Sequence, residues 1–201
     1  TLYRYQQDAV EKLSKVKVGA LYMEQGTGKT RTALELIKRR ADKNKVNHIL
    51  WLCPCTAKTN IARDIEKHAN LDKSKLTICG IETLSSSVNE YVKMLNLVQS
   101  TKCFLVVDES LLVKNPYAIR TRRITDISKE CEYKLLLNGT PISKTEADLY
   151  SQWKILDPRI LGYQSYWSFA ANHLEYDDKY KNMVRRVLNK DYLTDKIAPY
   201  C

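Results

Sequence analysis

Gly19-Ala20-Leu21-Tyr22-Met23-Glu24-Gln25-Gly26-Thr27-Gly28-Lys29-Thr30 is the stretch whose reading decides the fold. An apolar, β-rich run over Gly19–Met23 gives way to a loop with two glycines, and helical spacing then begins and continues to Arg40. Glycines let a tight loop turn its backbone N–H groups inward, and the N-terminus of the following helix adds positive potential. Such a loop binds phosphate. Lys29 is placed to reach the outer phosphates of a nucleoside triphosphate, and the Thr30 hydroxyl to hold Mg2+. The full phosphate-loop pattern G-x-x-x-x-G-K-[ST] is not complete, because Met23 stands where its first glycine belongs.

On either side of this loop the chain alternates. Buried-strand runs are read at Gly19–Met23, His48–Cys53, Leu76–Cys79, Cys103–Val107 and Tyr133–Leu137. Helical spacing fills Thr30–Arg40, Thr56–His68, Ser86–Val98 and Ala118–Cys131. Strands apolar on both faces and separated by helices predict right-handed βαβ crossovers and a mostly parallel sheet between helical layers. Sites in such folds lie at the carboxyl ends of the strands. Beyond Pro158 the alternation stops in favour of an aromatic, basic stretch with helical tendencies. The chain is therefore divided into an α/β domain over 1–158 and a helical extension over 159–201.

Composition limits what these elements can be for. With 201 residues, 44% hydrophobic and 28% charged, the chain has the make-up of one substantial globular core. No apolar run approaches the ~20 residues that span a bilayer, and no signal peptide is present, so an intracellular setting, cytoplasmic or nuclear, and no membrane partner are expected. A formal net charge of +10 favours a polyanionic partner. Six scattered cysteines lack the paired spacing of a zinc site and read as reduced, mostly buried thiols. His48, His68 and His173 show no ligand spacing.

The second chemical signal is Asp108-Glu109, directly after the apolar run Cys103–Val107. An acidic pair ending a central strand serves both needs of phosphate hydrolysis: Asp108 orients the Mg2+ shell and Glu109 polarises the attacking water. Alone the pair would read as loop carboxylates. Beside a phosphate loop it reads as catalytic.

Gly26-Thr27-Gly28-Lys29-Thr30, Val106-Val107-Asp108-Glu109-Ser110 with Lys114-Asn115-Pro116, and Leu137-Asn138-Gly139-Thr140-Pro141 resemble, in order and spacing, motifs I, II and III of superfamily-two helicases. The likeness is to the N-terminal RecA-like lobe of the Swi/Snf-like branch, where motif III runs on to a segment like Leu156-Asp157-Pro158. Leu2-Tyr3-Arg4-Tyr5-Gln6 is similar to that branch's opening segment, Ile49–Pro54 to motif Ia and Gly80–Leu84 to Ib. The resemblance implies a three-layer RecA-like fold that hydrolyses ATP with Mg2+. It implies that Gln6, Gln25, Gly26, Thr27, Gly28, Lys29, Thr30 and Arg31 hold the nucleotide, that Thr30 and Asp108 hold the metal, and that Lys29, Asp108 and Glu109 carry the chemistry. Gly139 and Thr140 would couple hydrolysis to movement.

It further implies a nucleic-acid partner, double-stranded DNA foremost, on a track through Lys58, Thr59, Arg63, Thr83 and Ser85. Side chains of this kind grip a phosphate backbone without reading sequence, so they do not themselves separate DNA from RNA. Motif II departs from the family's D-E-A-H, since Leu111 replaces the histidine that links the ATP site to motif III in many relatives. Ser110 reads as a turn residue, with a share in that link as the alternative. Nothing resembles the second lobe, which carries the family's arginine finger, and Ile197–Cys201 is similar to the segment before the crossing into it; a stop near a lobe boundary is expected.

Other features read first as structure. Lys38-Arg39-Arg40 suits a helix C-terminus, and clusters also stand at Arg120–Arg123 and Arg185-Arg186. Trp153, Tyr163, Tyr166, Trp167, Tyr176 and Tyr180 suit core packing, with base stacking as the alternative. The expected function is thus the ATP-binding lobe of a nucleic-acid-dependent ATPase, a helicase or DNA translocase. Its rivals are a non-catalytic polynucleotide-binding module that retains an ATP fold, and a P-loop kinase. Asn138-Gly139-Thr140-Pro141 after a strand speaks against the kinase.

Overall fold

A computed structural model describes residues 2–69, 72–180 and 183–201. The chain opens with α1 (Arg4–Leu13) and then alternates β1 (Val18–Tyr22), α2 (Lys29–Ala41), β2 (His48–Cys53), α3 (Lys58–His68) and β3 (Leu76–Gly80). It continues through α4 (Thr83–Ser86), α5 (Val88–Ser100), β4 (Cys103–Asp108), α6 (Ile119–Lys129) and β5 (Tyr133–Asn138). The five strands predicted from the apolar runs form one sheet in the order β1-β5-β4-β2-β3, and every pairing is parallel. All five carboxyl ends therefore lie along one edge. The helix α1 was not foreseen in the alternation.

Period-two alternation within the strands builds two apolar layers. Leu50, Leu52, Leu105, Val107 and Leu136 face one layer, and Ile49, Trp51, Cys53, Phe104, Val106, Leu135 and Leu137 face the other. Val10 of α1, Ala33, Leu34 and Ile37 of α2, and Ile61 and Ile65 of α3 close the second layer. Met94 and Val98 of α5 and Ile124 and Ile127 of α6 close the first. Continuous apolar runs such as His48–Cys53 and Cys103–Asp108 are buried at every position because both faces are covered.

Past β5 come α7 (Leu149–Leu156), α8 (Pro158–Leu161), α9 (Tyr166–His173) and α10 (Lys190–Ile197). Between α9 and α10 lies an antiparallel pair, β6 (Leu174–Tyr176) and β7 (Val184–Val187), where helical tendency alone was expected. Leu174 faces Val187 across this pair and both join the apolar layer, which makes a ribbon of the segment. Residues on both sides of position 158 share one core: Trp153, Ile155 and Leu156 pack with Ile160, Phe169 and Leu193. Tyr163 and Tyr166 are partly buried and pack against that core, whereas Trp167 is 74% exposed, Tyr180 59% and Tyr176 36%. Four of the six free cysteines are buried, and among the described residues no cluster suits a metal held by His, Cys and carboxylates. No helix of the described residues is long and apolar enough to cross a membrane.

Candidate functional site

The loop between β1 and α2 turns on Gly26 and Gly28, with φ of +81° and +80°. A Cβ on Gly26 would meet nothing within 4 Å, so a ligand can approach the backbone there; at Gly28 it would lie 2.5 Å from Gln6 Nε2. Gln6 is buried against this loop. Its Nε2 donates to Thr27 O at 2.9 Å, while its Oε1 accepts from Tyr3 N–H at 2.9 Å. Tyr5, beside it, donates its hydroxyl to the same Thr27 carbonyl at 3.1 Å and stacks on Tyr3 with ring centroids 5.8 Å apart.

Lys29 Nζ donates to the carbonyls of Met23 at 3.0 Å and Glu24 at 3.2 Å, which sets its positive charge across the mouth of the loop. The first backbone bond of α2 runs from Thr32 N–H to Gly28 O. The amides of Lys29, Thr30 and Arg31 thus have no intrahelical acceptor and are open to an anion. Gln25 is exposed, and Thr30 and Arg31 are half-buried at the helix start.

Sheet order brings the acid pair close. Between β1 and β4 lies only β5, and Met23 N–H donates to Asn138 O at 3.1 Å, so the loop after β5 abuts the glycine loop after β1. Asp108 ends β4, 7% exposed, and accepts Glu109 N–H on Oδ1 at 2.9 Å. Burial lifts its carboxyl above the ordinary range, with the Glu109 amide and the Lys29 ammonium pulling the other way. Glu109 is exposed and has a φ of +49°, a left-handed conformation that costs a non-glycine residue ~1–3 kcal/mol. A carboxylate pair, a hydroxyl, an ammonium and free amides form a donor set that fits a triphosphate with Mg2+.

Ser110 is not a plain turn residue. It is fully buried and donates its hydroxyl to Gln152 Oε1 at 2.6 Å, while Asn138 Nδ2 donates to Ser110 Oγ at 3.5 Å. Gln152, on α7, lies outside every motif; its only sequence signal is an amide in the apolar run Leu149–Leu156. Leu111 is half-buried in the turn that follows. In the loop after β5, Gly139 is half-buried, Thr140 is exposed, and Thr140 N–H donates to Asn138 Oδ1 at 3.2 Å. Lys114 joins this loop from the other side, 3.5 Å from Asp148 Oδ1. Burial raises the Asp148 carboxyl, but donors from Ser143 and Lys144 and the Lys114 charge outweigh it and hold the group below its ordinary range.

At the other end of the same edge, β2 and β3 place the expected track. Cys55 N–H donates to Glu82 Oε2 at 2.9 Å, and Cys55 Sγ lies 3.4 Å from Thr83 Oγ1. These contacts lock the two loops together. Lys58 and Thr59 begin α3 and are exposed, as is Arg63 further along it; Thr83 and Ser85 on α4 are half-buried. Arg123, read only as one of a basic cluster, donates to the carbonyls of Leu84 at 2.6 Å and of Ser85 and Ser87 at 3.3 Å, and lies over the Tyr91 ring. Among the C-terminal cations of α2, Arg40 is structural: it donates to Ser14 O and Val16 O and covers Tyr133.

A fully parallel sheet with a glycine loop after its first strand and an acid pair at a central strand's end defines the RecA-like class. Residues 5–193 match the model of the SNF2-related domain, and the chain belongs to that family. It is 26% identical to the TATA-binding protein-associated factor BTAF1 of Arabidopsis thaliana, over 80% of this chain and 9% of that protein. A SWI/SNF-related matrix-associated actin-dependent regulator of chromatin subfamily A-like protein 1 homolog of Caenorhabditis elegans is 30% identical over 35% of this chain and 10% of its own length. The Sulfolobus solfataricus SWI2/SNF2 ATPase core in complex with dsDNA superposes over the whole chain with a TM-score of 0.75 at 22% identity, and the chain covers 43% of it. The Pyrococcus furiosus Hef helicase domain gives a TM-score of 0.60 at 16% identity over 75% of this chain and 35% of that one. The chain thus spans a tenth or less of the curated relatives and under half of the solved cores.

Proposed function

We propose that this chain is the ATP-binding lobe of a nucleic-acid-dependent ATPase that hydrolyses ATP to move along double-stranded DNA. One observation carries the reading. A single sheet edge holds the phosphate loop, the β5 loop and the acid pair over β1-β5-β4, and the cationic and hydroxyl loops over β2-β3. Membership of the SNF2-related family supports it.

In this reading Gln6 sits against the base, and the loop amides with Lys29 take the β- and γ-phosphates. Thr30 and Asp108 would hold Mg2+, which when bound would neutralise charge on the phosphoryl oxygens. Glu109 orients water for in-line attack on the γ-phosphorus and takes its proton as the bond to the leaving oxygen breaks. Gly139 and Thr140 lie between the glycine loop and the acid pair and would report the nucleotide state to the track. Lys58, Thr59, Arg63, Thr83 and Ser85 hold backbone phosphates. A second RecA-like lobe would close the cleft and supply an arginine worth ~10³ to 10⁵ in rate.

The test uses the full-length protein that contains this chain. Lys29→Ala should abolish the rise in melting temperature with Mg-ATP. Glu109→Gln should keep that rise while DNA-stimulated phosphate release falls ~10² to 10⁴-fold. Duplex binding should weaken steeply with salt, and more on charge reversal at Lys58 and Arg63 than at Lys38 and Arg39. Turnover unchanged by Glu109→Gln overturns the assignment; nucleotide binding with no turnover in the full-length protein marks a polynucleotide-binding module instead.

A further inference from the structure

The hydrogen positions around Ser110 follow from chemistry. Gln152 Nε2 lies 2.8 Å from the carbonyls of both Pro141 and Asp148, which only a donor can satisfy. Its Oε1 then faces Ser110 Oγ, so the serine must donate to it at 2.6 Å. The remaining Ser110 lone pairs face Asn138 Nδ2 at 3.5 Å, and Asn138 Oδ1 turns to Thr140 N–H at 3.2 Å. The chain of donors runs one way, from Asn138 through Ser110 to Gln152 and on to Pro141 and Asp148. Asn138 and Pro141 belong to one loop, so the chain closes into a ring. Ser110 and Gln152 are fully buried and Asn138 nearly so, which makes every bond costly to lose.

The ring grips the residue next to Glu109. A left-handed glutamate persists only when its surroundings over-determine it. On one side its N–H is held by Asp108 Oδ1 at 2.9 Å. On the other, the anchor is the Ser110 hydroxyl in the ring. We infer that Gln152, with Ser110, is a positioning residue for hydrolysis: the Gln152–Ser110 bond holds Glu109 in its strained, outward conformation and fixes it against the Asn138–Pro141 loop. Without the bond, Glu109 can relax towards ordinary backbone angles and carry its carboxylate off the line of attack. The inference rests on the ATPase reading above. It also assigns to a serine and a glutamine the contact between the acid pair and the β5 loop, where Leu111 offers no polar group.

The test is a cycle in the full-length protein: Gln152→Met, Ser110→Ala, the double variant, and Glu109→Gln beside them. Turnover is measured per bound nucleotide, so a reduced folded fraction does not count. Each single variant should lose roughly 10- to 100-fold in kcat, with KM for Mg-ATP within about threefold of wild type. The double variant should be no worse than the weaker single, because each single variant already removes the Gln152–Ser110 bond. Unchanged turnover per bound nucleotide, or losses that multiply, overturns the inference. Should Gln152→Met not fold, Ser110→Ala decides, since it deletes one hydroxyl. If Glu109→Gln is inactive while the others match wild type, only the positioning role fails. If Glu109→Gln turns over normally, the ATPase assignment and the inference fall together.

Discussion

Asp108 is held at a cost. Its carboxyl is buried at the end of a central strand and pushed above its ordinary range, chiefly by desolvation. A carboxyl that binds its proton more tightly folded than unfolded makes stability fall as pH rises through the interval between the two values, and the loss persists at neutral pH. In the proposed site the same charge is what recruits Mg2+. Asp108→Asn keeps an acceptor for the Glu109 amide and removes the charge. In nucleotide-free protein at pH 7 it should raise the melting temperature by about 2–4 °C for each kcal/mol of relieved cost. The gain should shrink as pH approaches the carboxyl range, and Mg2+ should no longer enhance ATP binding. Thermal melts at several pH values, with and without Mg-ATP, check both; a melting temperature lowered at pH 7 would mean that the charge stabilises the fold.

At the scale of the element, the glycine loop between β1 and α2 separates two effects that glycine substitutions usually mix. Gly26 and Gly28 share a positive φ, but only Gly28 is crowded, by the Gln6 amide. Gly26→Ala should cost the left-handed strain alone, ~1–2 kcal/mol. Gly28→Ala adds displacement of Gln6, which is tied to both Thr27 and Tyr3, and should cost more while opening the N-terminus of α1. Denaturant melts give the two costs, and hydrogen exchange in residues 3–8 shows whether α1 loosens. Equal costs with no loosening would mean that Gln6 moves freely.

For the whole molecule, the sheet is clamped between two apolar layers, and each contains a fully buried tryptophan. Trp51 fills the side of α1–α3 and Trp153 the side of α5–α10. Trp153 meets Tyr22 edge-on at 6.2 Å and Tyr200 at 6.4 Å, so it joins the first strand to the end of the described chain. Trp153→Ala should cost ~3–5 kcal/mol and strip exchange protection from residues 197–201 before the sheet opens. Denaturant melts and hydrogen exchange read both; protection retained at 197–201 would show that α10 and its neighbours hold that segment unaided.

Spacing alone was enough for the sheet, because β1–β5 are apolar on both faces and only a covered parallel sheet buries such runs. Local sequence was enough to place the glycine loop after β1 and the acid pair at the end of β4, since both lie in continuous stretches and Gly26 and Gly28 mark the turn in their own residues. Three matters lay beyond its reach. Ser110 read as a turn because its partner, Gln152, is 42 residues away. Arg123 read as surface charge, yet it caps three carbonyls 36 to 39 residues earlier in the chain. The β6–β7 ribbon was hidden because its strands are three and four residues long and Val184 and Val187 stand at i and i+3, a spacing that also suits a helix. Tertiary structure decided the first two for one physical reason: a polar group taken out of water must find a partner, and the partner that packing brings near need not be near in sequence.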